Sequence, residues 1–354
     1  MAINSKKRKI IATILGSVSG FSGMAVTGAI IGYDAAFPRY NYPDYAVTPG
    51  IYTYERIKKT LPREEFFFDG DECKLKGYYY KTKNSKGLVV IGHGFHAGAD
   101  DYLPIIDYLV KSGFNVFAFD YQGTYGSEGD GTEGMCQSAK DMDHALIYVQ
   151  SQPRLKRQPL FLLGHSWGGY AAASNLEFHP EVKACALIAP MYNGFTMMLD
   201  KSEEYVGKLG KMPKPIFDVY QKILFGKYVD CNGVKGINST QAPVLIAHGV
   251  DDKILKFDEH QSIISHKSEI KNPNVTYYIG YGVHGDHNNI WHSNAAALYQ
   301  MEVESRMKYL EIEKGRALTY EEKVEFYKTV DHRLYSEVNA ELMNLIIQTF
   351  TATL

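Results

Sequence analysis

The chain has 354 residues, of which 45% are hydrophobic and 22% charged, a balance typical of a globular protein with a large core. Its formal net charge is -2 and its acids and bases are interspersed, which argues against a nucleic-acid-binding surface or a polyacidic substrate. The four cysteines form no C-x-x-C pair, so a zinc ribbon or a thioredoxin-type redox motif is not expected.

The N-terminus carries a basic cluster, residues 6–9, followed by an uncharged stretch over residues 10–32. About 20 apolar residues suffice for a helix to cross a bilayer, and the basic cluster should stay cytoplasmic. We therefore expect residues 1–33 to be a single-pass membrane anchor, with the remainder of the chain outside the cytoplasm. Two alternatives stay open: a cleaved signal that releases a secreted protein, and an amphipathic segment that is buried or lies on a surface.

Residues 34–62 predict a linker followed by a short helix, because three prolines interrupt regular structure there. Two strand-like runs, residues 65–68 and 74–81, then flank an Asp-Gly-Asp turn. This pattern is typical of a β-hairpin.

Strand patterns and helix patterns alternate in the middle of the chain. The strand candidates are continuous apolar runs, which indicate strands buried on both faces. They are residues 88–91, 116–119, 160–163, 184–188, 244–247 and 275–279. The helix candidates between them are residues 101–111, 139–150 and 257–267. This alternation favours a doubly wound α/β sheet.

The alternation is interrupted over about residues 191–241 by an insertion rich in large apolar side chains. The insertion fits extra helices packed on the core and, equally, a lid whose apolar face lines a pocket. After the last strand, helix patterns cover residues 293–314, 318–330 and 336–354. The last two helix patterns are not required by the core fold, and they fit a packing role and a dimerisation role equally well.

The clearest chemical motif follows the strand at residues 160–163. This strand leads into Gly164-His-Ser-Trp-Gly168, and an alanine-rich helical pattern comes next. In this context G-x-S-x-G is a nucleophile elbow: the serine occupies a sharp, strained turn that needs small neighbours. The helix N-terminus behind it offers free N–H groups to a developing oxyanion. Ser166 is therefore the predicted nucleophile.

With this motif the chain resembles the α/β-hydrolase superfamily, in particular its lysophospholipase-like and serine-aminopeptidase-like branch, over roughly residues 63–310. Two further motifs carry the resemblance. Gly92-His-Gly-Phe95 follows its strand as the family's His-Gly-x oxyanion loop does, and residues 120–127 are similar to the family's D-x-R-G-x-G-x-S turn. That turn departs from the family by carrying Gln122 in place of arginine and one extra residue before Gly126.

The resemblance implies an α/β-hydrolase fold, that is, a mostly parallel, doubly wound sheet with a helical lid insertion, here preceded by the N-terminal transmembrane helix. The hydrolase domain then covers residues 63–314, with the lid at about 191–241, and residues 315–354 form a C-terminal helical extension. The backbone N–H groups of Phe95 and Trp167 are the implied oxyanion-hole donors.

The acid and the base are placed by family spacing. The family's acid lies three residues after a glycine that follows its strand, which selects Asp252; Asp251 is the alternative. For the base we favour His287, since an asparagine and then a serine and a helix pattern follow it. His284 is the alternative base, because it loosely matches the family's Gly-x-Gly-His. His292 adjoins the helix start and is expected to be structural.

These roles predict a serine hydrolase that cleaves a carboxylic ester through an acyl-enzyme on Ser166, with a lipid-derived ester as one option. The same triad would serve a peptidase or amidase of the serine aminopeptidase type, and a second alternative is a binding module without catalysis. No cofactor is expected, and no His/Cys/Asp cluster predicts a metal site. The expected partners are a small or lipid-like acyl substrate and a membrane, not nucleic acid; the oligomeric state is left open.

Overall fold

The computed structural model describes residues 21–48, 52–206 and 214–354. An eight-stranded sheet with the order β1-β2-β4-β3-β5-β6-β7-β8 forms its centre. The strands are β1 Arg63–Asp69, β2 Lys74–Tyr80, β3 Leu88–Gly92, β4 Asn115–Phe119, β5 Leu160–His165, β6 Val182–Ile188, β7 Val244–Gly249 and β8 Val275–Gly280. The predicted hairpin and all six predicted apolar strands are present, which confirms the α/β sheet.

The strand directions bring several loops to one edge of the sheet. β2 is antiparallel to both β1 and β4, whereas all pairings from β4 through β8 are parallel. β3, β4, β5 and β7 are buried along their whole length, as continuous apolar runs require when helices cover both faces. The carboxyl ends of β3, β5, β7 and β8 therefore meet at the same edge, where ligands bind in sheets of this kind.

Helices cover both faces of the sheet. The helices are α1 Phe21–Ala36, α2 Tyr54–Ile57, α3 Leu103–Lys111, α4 Gln137–Ser151, α5 Trp167–Asn175, α6 Gly194–Val206, α7 Lys214–Phe225, α8 Gly233–Asn238, α9 Asn294–Lys314, α10 Tyr320–Lys328, α11 His332–Tyr335 and α12 Ala340–Thr351. One face carries α4, α5, the insertion helices α6 to α8 and the end of α1. The other carries α3 and α12.

The C-terminal helix α12 has a packing role. Its buried apolar residues join the core on the α3 face of the sheet, and the Phe350 ring stacks on that of Phe161 with a centroid distance of 4.9 Å. Of the two roles expected for the C-terminal helices, α12 thus takes packing. The helix α10 instead packs on α9 in a separate small cluster around Val303 and Phe326.

One predicted helix, residues 257–267, is wrong. The structure has turns there and a 3₁₀ turn at Ile264–Glu269. This backbone pairs with the segment that follows β6: the Ile263 amide donates to the Pro190 carbonyl, and the Gln261 carbonyl accepts from the Tyr192 amide. These tertiary hydrogen bonds replace those that a continuous helix would make.

The predicted transmembrane helix over residues 10–32 is not found in the described part of the chain. Its first half lies outside the described residues, and no helix within residues 21–48, 52–206 and 214–354 is both long and apolar enough to span a bilayer. Helix α1 continues to Ala36, past the predicted boundary at residue 33, and its end packs on the sheet domain through buried Ile30 and Tyr33. The location of the domain outside the cytoplasm stays a prediction.

Candidate active site

Ser166 lies in a strained turn between β5 and α5. Its backbone angles are φ 55° and ψ -114°, a region that non-glycine residues rarely adopt. The turn is held by the Ser166 amide, which donates to the Ile188 carbonyl over 2.8 Å. A Cβ atom on Gly164 would lie 2.1 Å from the Gly168 carbonyl oxygen, so the turn closes only with glycine there. The G-x-S-x-G segment therefore has the geometry of a nucleophile elbow.

The predicted oxyanion loop lies beside this elbow. β3 and β5 are parallel neighbours, and a Cβ atom on Gly94 would lie 3.7 Å from the Ser166 Cβ. Trp167 is the first residue of α5, so its N–H has no acceptor within the helix. The rings of Phe95 and Trp167 pack edge to face with centroids 5.2 Å apart. Both predicted donor residues thus border the serine.

A buried carboxylate–imidazole pair lies at the ends of the loops that follow β7 and β8. Asp252 Oδ2 is 2.6 Å from His287 Nδ1, while Asp252 Oδ1 accepts the amides of Ile254 and Leu255, each at 2.8 Å. Burial alone would raise the pKa of Asp252, but hydrogen bonds from His248 and His287 outweigh it and hold the pKa below its usual range. Asp252 is therefore a fixed, ionised acceptor for the His287 ring.

The alternative residues lie elsewhere in the same loops. Asp251 is exposed, and its amide donates to the Gly285 carbonyl over 2.9 Å. His284 occupies the 3₁₀ turn Gly282–Gly285, and its Nε2 has no hydrogen-bond partner among the described residues. His292 is buried, which lowers its pKa to about 4. Of the candidate acids and bases, the structure brings together Asp252 and His287.

Comparison with known proteins agrees with this architecture. A family model described as "Serine aminopeptidase, S33" matches residues 83–228. The uncharacterized protein YfhR of Salmonella typhi is 22% identical over 279 residues, which cover 74% of this chain and 87% of that protein. Lysophosphatidylserine lipase ABHD12 of Danio rerio is 26% identical over 200 residues, which cover 52% of this chain and 49% of that protein.

The fold has a counterpart among solved structures. An esterase of Pyrococcus furiosus matches with a TM-score of 0.52 at 20% identity, covering 78% of this chain and 98% of that one. The chain has the α/β-hydrolase fold. Within the described ranges of this hydrolase fold, no group of three or more His, Cys, Asp or Glu side chains could hold a metal ion.

A chain of hydrogen bonds links three loops of the candidate site, and no local sequence pattern predicts it. The Gly94 amide donates to the Tyr102 hydroxyl over 2.8 Å, and this hydroxyl lies 2.7 Å from His165 Nδ1. His165 Nε2 lies 3.2 Å from the His287 carbonyl oxygen. The tautomer with its hydrogen on Nε2 satisfies all three contacts. Burial, together with the nearby His287, lowers the pKa of His165 to about 3 and keeps the ring neutral.

The segment before β1 also borders the candidate site. Residues 37–48, which we call the strap, follow α1 where the sequence predicts part of a linker. The Tyr40 ring packs on Phe95 and His96 with centroid distances of 5.6 and 4.2 Å. The Arg39 guanidinium donates to the carbonyls of Tyr125, Ser127 and Gly129 over 2.6 to 2.9 Å. No local sequence pattern signals these long-range contacts.

The turn that departs from the superfamily pattern is nevertheless well held. Buried Asp120 accepts the amides of Ala99 and Gly126 and the Tyr78 hydroxyl, and burial raises its pKa to about 7. Gln122, which replaces the usual arginine, is buried, and its backbone N–H donates to the Asp141 carboxylate over 2.7 Å. The departure therefore leaves the turn anchored at both of its ends.

Proposed function

We propose that this chain is a serine hydrolase that cleaves a carboxylic ester through an acyl-enzyme on Ser166. One observation carries the proposal: a buried 2.6 Å contact joins Asp252 and His287 at the sheet edge where Ser166 occupies its strained elbow. An ionised carboxylate that orients a histidine, at the same sheet edge as a serine in a nucleophile elbow, is the set of groups that acyl transfer requires.

The proposed mechanism assigns one role to each group. His287 takes the Ser166 proton, and the serine oxygen attacks the ester carbonyl. The amides of Phe95 and Trp167 hold the oxyanion of the tetrahedral intermediate. Asp252 orients the imidazole and stabilises its cationic form. The alcohol leaves with a proton from His287, and water activated by the same ring then releases the acid.

An apolar acyl group is the proposed substrate portion nearest the serine. Two methionines of α6, Met197 and Met198, belong to the same buried apolar cluster as Trp167, so the insertion adds apolar side chains to the face of the sheet that carries the helix after Ser166. The Danio rerio relative is named as a lipase of lysophosphatidylserine, which is consistent with a lipid-derived ester. Both observations favour acyl chains over short polar acids.

The second candidate is an amide or peptide bond, because the matching family model is described as a serine aminopeptidase. An aminopeptidase would need a carboxylate that binds the free amine of its substrate. The acidic Asp200 of the insertion is already engaged, with its Oδ2 2.8 Å from His260 Nε2. We therefore place ester hydrolysis first.

The test is hydrolysis of a p-nitrophenyl ester series, from acetate to palmitate, by the full-length chain. We expect Ser166→Ala, Asp252→Asn and His287→Asn each to lower kcat by roughly 10³-fold or more, since triad members act as a unit. Asp251→Asn and His284→Asn are matched controls and should stay within a few-fold of the parent. Preference for long chains would support the lipid-derived ester.

Two further measurements separate the alternatives. A fluorophosphonate probe should label the parent and not Ser166→Ala. Aminoacyl p-nitroanilides, assayed in parallel, should be cleaved more slowly than the esters; faster cleavage would favour the amidase. If no substrate turns over and Ser166 is not labelled, the hydrolase proposal is wrong and a binding role replaces it.

A further inference from the structure

Helix α9 has apolar side chains on two opposite faces. Ala296, Ala297 and Val303 are buried against the rest of the domain. The opposite face exposes Leu298, Met301, Tyr309 and Ile312, which are 57 to 69% accessible to solvent. A helix at a protein surface is usually apolar on the inner side only. The outer apolar residues of α9 therefore call for an explanation.

These outer residues form one stripe along the helix. At 100° per residue, the four apolar side chains lie within about 40° of the direction of Ser305. Leu298 and Ile312 are each seven residues from Ser305, and Met301 and Tyr309 are each four residues from it. The stripe is thus symmetric about an exposed serine, with apolar side chains at matched distances on both sides.

The charges that border the stripe follow the same symmetry with opposite sign. Glu302 and Glu304 precede Ser305, whereas Arg306 and Lys308 follow it. Arg306 is held in place, since it donates to the Thr329 hydroxyl over 3.0 Å and lies 5.5 Å from the Phe326 ring centre. If two such helices pack antiparallel about Ser305, the two acids of each copy lie beside the two bases of the other.

We propose that this stripe is the docking surface for a second copy of the chain, with the two α9 helices antiparallel about a two-fold axis at Ser305. This packing sets Leu298 of one copy level with Ile312 of the other, and Met301 level with Tyr309. An isologous contact requires a self-complementary surface, and the mirrored order of apolar and charged residues meets that requirement. A different protein as partner would not require the order to mirror itself about one residue.

The small size of this contact sets the expected affinity. Leu298 and Ile312 are about 21 Å apart along the helix axis, at 1.5 Å per residue. A single helix pair of this length falls at or below the lower end of stable interfaces. We therefore expect a dimer that forms reversibly with rising protein concentration.

Charge reversal tests the proposal directly. The full-length chain, in one non-ionic detergent throughout, is examined by sedimentation velocity over a wide concentration range. Glu304→Lys and Lys308→Glu should each weaken the dimer at least tenfold, because each sets like charges against the partner. The double variant should restore the dimer to within about threefold of the parent, because the opposite charges face each other again.

A cysteine on the proposed axis provides the second test. Ser305→Cys should form a disulfide between copies under mild oxidation, since residue 305 meets its own counterpart. Ala295→Cys is the matched control: it is exposed on the same helix, but the proposed packing puts the two copies of residue 295 about 30 Å apart. The parent chain reports any background from half-buried Cys73.

Several results would overturn the proposal. These are a monomer at every concentration, a dimer that both single charge reversals leave unchanged, and cross-linking of Ser305→Cys no greater than that of Ala295→Cys. Urea unfolding of each variant is measured alongside, and a variant that unfolds at lower urea than the parent is replaced by Glu302→Lys with Arg306→Glu. For that pair we expect the same weakening of the dimer in each single variant and the same restoration in the double variant.

Discussion

At the scale of single residues, the neutral ring of His165 connects the loops that carry the proposed triad. Its two nitrogens contact the Tyr102 hydroxyl and the His287 carbonyl, and Tyr102 in turn accepts the Gly94 amide. These contacts fix the backbone that carries the proposed oxyanion donor and the proposed base. We therefore expect Tyr102 and His165 to act as positioning residues.

Tyr102→Phe tests that positioning role. The ring remains, but the Gly94 amide loses its acceptor and His165 Nδ1 loses its donor. We expect kcat to fall by about 10- to 100-fold with little change in KM, because small displacements of catalytic groups affect the transition state most. The ester assay measures both constants.

Tyr121→Phe is the matched control for this variant. Tyr121 is fully buried, and its hydroxyl has no hydrogen-bond partner among the described residues. Loss of that hydroxyl should leave kcat within about twofold of the parent. Equal loss of kcat in the two variants would show that any buried tyrosine hydroxyl matters, and the positioning role would be wrong.

How far the sequence predicts the site also differs from residue to residue. Ser166 follows from a local motif, and Asp252 and His287 follow from the spacing of the family that the chain resembles, because each lies in a loop that comes after a strand. Tyr102 has no such signal, since its partner His165 is 63 residues away. A contact between distant segments depends on how the sheet orders its strands, and the local pattern does not encode that order.

At the scale of elements, the strands were easier to predict than the segments around them. A strand buried on both faces needs a continuous apolar run, so β3 to β7 are visible in the sequence. The strap was predicted as part of a linker, because prolines and polar residues give it no periodicity. Its order comes instead from hydrogen bonds to the loop over residues 123–132.

Arg39→Ala tests whether the strap supports the site. Its guanidinium satisfies three backbone carbonyls, so its loss should destabilise the fold by about 2 kcal/mol. The strap carries Tyr40 onto Phe95, and we expect kcat/KM for esters to fall as well. Urea unfolding and the ester assay measure the two effects. Lys59→Ala, at an exposed position, is the control. If Arg39→Ala is as stable and as active on esters as Lys59→Ala, the strap does not support the site.

At the scale of the whole molecule, two sets of buried groups act in opposite directions on stability as the pH changes. Burial lowers the pKa values of His93 and His292 to about 4, so the unfolded state binds more protons and acid destabilises the fold below about pH 6.5. Burial raises the pKa values of Asp120 and Asp141 to about 7, so stability present below about pH 4 is lost as the pH rises toward 7. Between pH 4 and 6.5 the two effects offset each other.

Asp141→Asn should remove part of the stability loss that the buried aspartates cause as the pH rises. The amide is neutral at every pH, so the variant no longer loses stability through ionisation of a buried carboxyl. Relative to the parent, its free energy of unfolding should therefore rise by about 2 kcal/mol between pH 5 and pH 7. Urea unfolding at the two pH values measures this difference. A weakened hydrogen bond from the Gln122 backbone amide lowers the stability equally at both pH values and does not affect the difference.

The comparison between two pH values makes the Asp141 prediction independent of packing damage. A lost hydrogen bond or a strained amide lowers stability equally at pH 5 and pH 7, whereas a removed ionisation changes the difference between them. Asp130→Asn, at an exposed aspartate, should show no such difference. If Asp141→Asn also shows none, the carboxyl is ionised at both pH values, and the histidines would then govern the acid stability of the molecule without compensation from this carboxyl.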